Sequence, residues 1–350
     1  MSEKQNIRSL SKEELTTLFV AKGEKAFRAK QVYEWLWKKG VTSFDEMTNL
    51  SFDLREMLKE NFVFNAVDVA EKQVSSDRTI KNAFRLYDGK ITEGVLIPTP
   101  NRMTACISSQ VGCSLSCAFC ATGKLARLRN IDAEEIFDQV VLIKNQAEEH
   151  YQSPLSNIVY MGMGEPLLNY KNVLRSIEMI TSPEGLGMSP KRITVSTAGI
   201  AKMIKQLGDD EVKFNLAVSL HAATDAKRSK IMPINDSNTL EALSEALIYF
   251  HEKTGSRVTF EYIIFKDFND SLEDAKNLAT FAKIVPCKIN IIEYNTIDDV
   301  EFLKADPEQT DKFAAFLENT FNLIVNVRRS RGKDIDAACG QLANKNEAAK

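Results

Sequence analysis

The chain has 350 residues, 44% of them hydrophobic, and a formal net charge of −3. That length allows one large α/β domain with a smaller module beside it, and the apolar and charged fractions suit a globular protein. No stretch approaches the roughly 20 apolar residues of a membrane span, and the near-neutral charge gives no global sign of nucleic-acid binding. The opening Met1-Ser2-Glu3-Lys4-Gln5 is polar and lacks a signal-peptide core. A cytoplasmic, reducing location is therefore expected. The six cysteines read as ligands or reactants before disulfides.

Residues 1–62 read as a helical module. Ser11-Lys12-Glu13-Glu14 has the form of a capping box and opens a helix toward Ala21. A second helix runs over 25–39, with Phe27, Val32, Trp35 and Leu36 at helical spacing, and Gly40 stops it. Short helices start at Ser43 and Ser51. The aromatic residues read as the module's own core rather than a base-stacking platform. Residues 63–98 form a β linker and hairpin extension: 62–73 and 79–87 are strand-like, Asp88-Gly89 is a hairpin turn signal, and 90–98 returns.

Residues 99–328 alternate apolar strands with helices. Strands are expected at 104–108, 157–161, 192–196, 214–220, 258–265 and 288–292. Helices are expected near 132–149, 170–181, 199–207, 239–253, 272–284 and 308–320. Six βα units predict a parallel sheet covered by helices and curved into a partial barrel. An extra strand is expected at 323–327, and the polar tail after Leu342 is expected to fray.

The chemistry concentrates after the first strand. Cys113, Cys117 and Cys120 stand in a Cys-x3-Cys-x2-Cys run with Phe119 before the last. Thiolates suit zinc or iron–sulfur clusters. No fourth ligand is close, because the only histidines are His150, His221 and His251. Three ligands in one loop fit a cubane cluster with one iron left open; an incomplete zinc knuckle or buried inert thiols are the plain alternatives. Reactive groups of α/β barrels sit where strands end. The ends here carry Gly162-Met163-Gly164-Glu165-Pro166, Ser196-Thr197-Ala198-Gly199, Ser219-Leu220-His221 and Glu293-Tyr294-Asn295. The first is no dinucleotide fingerprint, since its third glycine is missing. Cys106 and Cys339 remain. Cys339 stands between small residues after a basic stretch; Cys287 reads as a bystander. Basic clusters occur at Arg28, Lys30, Lys38 and Lys39, at Lys124, Arg127 and Arg129, and at Arg328, Arg329, Arg331 and Lys333.

The cysteine run resembles that of radical S-adenosylmethionine (SAM) enzymes. Together, Ser-Ser-Gln-Val-Gly-Cys, Gly-Met-Gly-Glu-Pro-Leu, Ser-Leu-His and Arg-Gly-x-Asp-Ile-x-Ala-Ala-Cys-Gly-Gln-Leu resemble the RlmN family. That family methylates C2 of an adenosine in 23S rRNA. Phe27-Arg28-Ala29-Lys30-Gln31 resembles its accessory module. The resemblance implies a partial (β/α)6 radical SAM barrel. Its [4Fe–4S] cluster would sit on Cys113, Cys117 and Cys120. SAM would be contacted by Gly164, Glu165, Ser196, Ser219, Leu220, His221 and Asn295. Cys339, in the 329–350 segment, would carry the methyl group, Cys106 would resolve it and Glu93 would be the general base. In the implied ping-pong scheme Cys339 is methylated by one SAM. A radical from a second SAM takes a hydrogen from that methyl, the carbon adds to C2, Glu93 removes the C2 proton and Cys106 attacks the sulfur of Cys339. The implied partners are 23S rRNA, gripped by the 1–62 module and the 328–333 loop, a second RNA in tRNA, and a low-potential donor such as flavodoxin; a monomer off the membrane is expected. The alternatives are a Cfr-like adenine-C8 methyltransferase and a non-catalytic RNA-binding protein with a structural metal.

Overall fold

The computed structural model describes residues 4–345. β1 (Gln5–Asn6) leads into α1 (Lys12–Ala21), α2 (Ala26–Glu34) and α3 (Phe52–Asn61), and β2 (Phe62–Val63) returns to pair with β1 in parallel. Ser11 and Glu14 form the expected capping box on α1. α2 widens into a π turn over Trp35–Lys39, and Gly40, at φ 65°, ends it in the left-handed region that glycine tolerates.

β3 (Asp68–Val74), β4 (Ile80–Arg85), β5 (Ile91–Thr99) and β6 (Arg102–Cys106) form an antiparallel meander. β7 (Gln110–Val111) and β8 (Arg129–Asn130) make a small pair beside the cysteine run. Then helices and parallel strands alternate: α4 (Ala133–Tyr151), β9 (Asn157–Tyr160), α5 (Tyr170–Thr181), β10 (Ile193–Thr197), α6 (Ala201–Asp209), β11 (Asn215–Ser219), α7 (Asp225–Ile231), α8 (Leu240–Thr254), β12 (Val258–Ile264), α9 (Leu272–Ala282), β13 (Cys287–Glu293), α10 (Pro307–Phe321) and β14 (Val325–Arg328).

The sheet is one surface of ten strands, ordered β14-β13-β12-β11-β10-β9-β6-β5-β4-β3. Its parallel part is the expected partial (β/α)6 barrel with β14 added at one edge. The β extension is not a separate hairpin: β5 pairs with β6 and continues the barrel wall. The expected strand at 62–73 is broken, because Arg8 Nη2 holds the Asn65 carbonyl (2.7 Å) and Val67 N–H donates to Asp138 (3.0 Å). Those backbone groups are drawn away from a ladder. α7 was not expected, and the expected helix at 199–207 starts only at Ala201.

Because the sheet ends at β14 and β3, the barrel has an open side. Residues 329–345 form a strap across it. Gly332 N–H donates to Asp77 Oδ2 (2.9 Å) and Ser76 N–H to Asp334 Oδ2 (3.0 Å), which ties the strap to the β3–β4 turn. The expected fraying after Leu342 is not found in the described part of the tail. Ala343 and Asn344 donate backbone N–H groups to Glu93 Oε2 at 2.8 and 3.1 Å; residues 346–350 lie outside the described residues. Among the described residues no helix is long and apolar enough to cross a membrane.

Candidate active site

The strand C-terminal ends, the cysteine run and the strap enclose a cavity of about 480 Å³. That is within the range of pockets that bury a small-molecule ligand. Cys113, Cys117 and Cys120 line one wall. The loop is held by backbone bonds from Ala118 N–H to Ile231 O (2.9 Å) and Gly123 N–H to Cys120 O (3.0 Å). Gly112 is required where the run begins: at φ +77°, a Cβ would lie 2.1 Å from the Ala126 carbonyl. All three thiols are free. Burial raises the pKa of each, and for Cys117 the nearby Cys120 and Cys113 raise it further. Among the described residues no three His, Cys, Asp or Glu side chains converge on a point suited to a single ion. Three neighbouring free thiols on one cavity wall match the three protein ligands of a cubane cluster with one iron left open.

The Gly-Glu turn is knitted to the start of the cysteine run. Ser109 and Gln110 N–H donate to Met163 O (2.9 and 3.2 Å), Met163 N–H to Ser108 Oγ (2.7 Å), and Glu165 N–H to Gln110 Oε1 (2.9 Å). Gly164 has φ +95°, and a Cβ there would fall 2.5 Å from Gln110 Cβ. The buried Glu165 carboxylate accepts from Leu167 N–H (3.0 Å) and Ala198 N–H (2.8 Å) and lines the cavity. Burial raises its pKa, opposed by those bonds and Thr197. Among the described residues no cation pairs with it, so an ammonium group is a suitable ligand.

Ser196, Ser219 and His221 also line the cavity. His221 is buried at φ 55°, its Nδ1 accepting from Ile263 N–H at 3.0 Å. Burial, then Arg228, lowers its pKa to about 3, so the ring is neutral. With Nδ1 an acceptor, the proton sits on Nε2. Phe119, the aromatic of the cysteine run, meets the ring edge-on at 4.7 Å.

Three expected site residues stand apart from this cavity. Leu220 is a fully buried core side chain, and only its carbonyl serves the site, accepting from Arg228 Nε (3.2 Å). Asn295 does not line the cavity; its amide donates to the Cys339 carbonyl (3.3 Å) and so positions that residue. Glu93 is fully buried beneath the strap, bonded by Ala343 and Asn344 and paired with Lys81 Nζ at 3.6 Å. The structure does not bring it to the cavity.

Cys106 and Cys339 do come together there. Burial, then the charge of Cys339, pushes the Cys106 thiol up to about 12. Cys339 is exposed, but toward a cavity whose walls surround it enough for burial to raise its pKa; Arg328 opposes this, and Glu261 and Cys120 add to it. The strap seats Cys339 on the cysteine run itself: Ala121 N–H donates to Gly340 O at 2.7 Å and Thr122 Oγ1 to Leu342 O at 2.6 Å.

Sequence reasoning missed Arg228, Asn269, Thr104 and Glu261. Arg228 is fully buried, and its guanidinium donates to the carbonyls of Ala198 (2.6 Å), Ser219 (3.3 Å) and Leu220 and to Asn235 Oδ1 (2.8 Å). It ties the ends of β10 and β11 together. Asn269 donates to His221 O (2.7 Å) and Ile263 O (2.8 Å) and sets the histidine turn. Thr104 Oγ1 is buried on the cavity wall and has no hydrogen-bond partner among the described residues. Only Glu261 had a visible signal, a carboxylate inside the apolar strand Val-Thr-Phe-Glu-Tyr-Ile-Ile. Two of the three basic clusters are partly spent internally. Arg129 pairs with Asp88 and Glu135, Lys124 donates to Asp298 O, Arg329 pairs with Glu293 and Asp311, and Lys333 pairs with Glu293.

Two family models match the chain: the ribosomal RNA large subunit methyltransferase N-terminal domain over residues 5–64, and the radical SAM superfamily over 107–279. A protein of Cytophaga hutchinsonii, named probable dual-specificity RNA methyltransferase RlmN, is 62% identical over 98% of this chain and 94% of its own. One so named from Staphylococcus aureus strain Newman is 42% identical over 98% and 94%. The crystal structure of a radical SAM methyltransferase from Sphaerobacter thermophilus superposes with a TM-score of 0.91 at 36% identity, covering 97% of this chain and 99% of that one. With a cysteine-lined cavity at the mouth of its partial barrel, the chain belongs to the RlmN family of radical SAM RNA methyltransferases.

Proposed function

We propose that this enzyme methylates C2 of an adenosine in 23S rRNA, by a ping-pong route through S-methylated Cys339. tRNA is the proposed second substrate, in keeping with relatives called dual-specificity. The proposed site of action is the cytoplasm. The observation that carries the reading is the seating of Gly340 on Ala121, which puts Cys339 against the cysteine run. Cys113, Cys117 and Cys120 would hold a [4Fe–4S] cluster, and Glu165, Ser196, Ser219 and His221 would hold SAM. When bound, cluster and SAM supply a carbon radical able to take hydrogen from an S-methyl group.

The chain's own part is positioning and sulfur chemistry. Adenine C2 lies between two ring nitrogens and resists direct methyl transfer, whereas a thiolate is a competent nucleophile. Cys339 accepts the methyl group and presents it to a base taken out of its stack. Cys106 then attacks the Cys339 sulfur, releasing the product and leaving a disulfide for reduction. For Glu93 to receive the C2 proton, Ala343 and Asn344 must lift from it. Pro166 after Gly-Glu favours C2 over a Cfr-like C8 outcome.

The test is nucleoside mass spectrometry of RNA treated with the anaerobically reconstituted enzyme. The expected product is 2-methyladenosine, abolished by Cys339→Ala with iron content unchanged. An 8-methyl product gives the Cfr-like reading instead, and undiminished methylation by Cys339→Ala discards the methyl-carrier role.

A further inference from the structure

The inward face of β6 presents three residues in a row, Cys106, Thr104 and Arg102, and all three line the cavity. Successive residues of a strand alternate faces, so each of the three stands about 7 Å from the next. Cys106 is the sulfur end of the row. Thr104 is 7% exposed, and its Oγ1 has no hydrogen-bond partner among the described residues. A buried hydroxyl left unpaired costs free energy until something binds it. Arg102 is exposed at the outer end. Its backbone is fixed by the hairpin that closes there: Thr99 pairs with Arg102 in the ladder, and Thr99 Oγ1 donates to Arg102 O (3.0 Å).

Arg328 ends β14, the last strand of the parallel part, and lines the same cavity. The basic residues that follow it have partners. Arg329 pairs with Glu293 and Asp311, Lys333 pairs with Glu293, and Arg331 Nη1 donates to Asp77 O (3.3 Å). Among the described residues no carboxylate lies within ion-pair distance of Arg102 or Arg328, and neither guanidinium donates a hydrogen bond. The cavity therefore has two arginines with uncommitted donors at its outer end and an uncommitted hydroxyl behind them. SAM would be held from the ends of β9, β10 and β11, so the β6 row faces a different occupant. A nucleotide has the matching order of base, ribose and phosphate. With its base at the sulfurs of Cys106 and Cys339, its ribose lies beside Thr104 and its phosphodiester beside the arginines.

We propose that Thr104 binds the ribose 2′-hydroxyl of the target nucleotide while Arg102 and Arg328 hold its phosphodiester. This rests on the reading above, in which the target base meets Cys339 and Cys106. A guanidinium offers phosphate paired N–H donors in a fixed fork, and phosphate contacts set position without reading sequence. The 2′-hydroxyl donates and accepts, so it satisfies Thr104 Oγ1, and it is the group that RNA has and DNA lacks. The β6 row thus sets how far the unstacked nucleotide enters, and with it the approach of the base to the two sulfurs.

The test measures binding and methylation of a 23S rRNA fragment that holds the target adenosine, with cluster-loaded protein, and of the same fragment with 2′-deoxyadenosine at that one position. Arg102→Gln and Arg328→Gln are each expected to weaken binding by roughly tenfold and to flatten its salt dependence by about one phosphate contact. Thr104→Val keeps the shape and removes the hydroxyl. It is expected to unfold at the wild-type urea concentration or above, and to lower kcat/KM for the fragment by roughly fivefold. The deoxy substitution is expected to cost the wild type the same factor and to cost Thr104→Val nothing more. SAM affinity is expected to change little. Wild-type affinity and salt slope in either arginine variant overturn the proposal, as do Thr104→Val and deoxy losses that multiply. Loss of SAM affinity in Thr104→Val with RNA binding intact overturns it too. A deoxy fragment that the wild type methylates without penalty overturns it whatever the variants do. If the wild type methylates no adenosine in the fragment, the 23S rRNA reading falls and the nucleotide subsite with it. A methylating wild type beside unimpaired variants removes only the subsite.

Discussion

Arg228 shows how a single residue can hold a ligand site without lining it. Burial pulls its guanidinium down to about 10, offset by Cys117 and Asp225, so it stays charged at neutral pH. Its acceptors are the backbone carbonyls at two strand ends and one amide oxygen. Arg228→Met fills part of the space but removes every donor. Each buried acceptor left unpaired costs roughly 1–3 kcal/mol, so a loss of about 3 kcal/mol or more in urea unfolding is expected, with weaker SAM binding as β10 and β11 separate. An unchanged midpoint together with unchanged affinity contradicts that role. The cysteine run and the Gly-Glu turn were legible in the sequence because their spacing is itself the chemistry. Arg228 and Asn269 were not, because they work through backbone carbonyls that only the folded strand ends bring within reach. Glu93 could be picked out only through the family likeness; in the folded chain it lies buried beneath Ala343 and Asn344.

Among the elements, the strap between β14 and the end of the described chain decides whether Cys339 stays in the cavity. Its anchor on the barrel is Glu293 at the end of β13, which pairs with Lys304 (3.3 Å), Arg329 (2.9 Å) and Lys333 (2.9 Å). Burial pushes the carboxyl up, but Lys333 and Arg329 outweigh it and hold its pKa at about 2. The folded value lies below the unfolded one of about 4.3. The anchor therefore contributes fully above that pH and is lost as pH falls toward about 2. Hydrogen exchange of residues 329–337 should show flat protection from pH 6 to 8. Glu293→Gln should remove that protection at every pH, and unaltered protection in the variant would rule the anchor out. The basic residues of this segment looked from the sequence like an RNA grip; sequence displays a charge but not its partner, and Glu293, Asp311 and Asp77 lie distant in the chain. The alternation of strands and helices from β6 to β14 was legible from period alone. α7 and the break before β3 were not, since a seven-residue helix and a four-residue gap are shaped by local hydrogen bonds.

At the scale of the whole molecule, the helical module and the barrel share one apolar core. Trp37 meets Phe137 of α4 edge-on at 5.2 Å, and Arg8 grips Asp138 of α4 in a buried bidentate pair. Removing one partner of such a pair leaves an uncompensated charge, which costs roughly 3–5 kcal/mol. Phe27, by contrast, is 50% exposed with Arg28 over its ring at 5.0 Å, and Lys39 lies over Trp35 at 3.2 Å. The module thus joins the barrel by one face, while Phe27 and Lys39 stay exposed. Core and cavity together serve one geometric end, the meeting of the cysteine run, Cys339 and Cys106. The most direct measurement is to trap the step that Cys106 completes. Cys106→Ala, turned over anaerobically with SAM and RNA, is expected to accumulate a covalent adduct in which the Cys339 sulfur is joined through one methylene to adenine C2, read by mass spectrometry of the nuclease- and protease-digested complex. Free methylated RNA with no adduct, or an adduct through any other residue, would contradict the account.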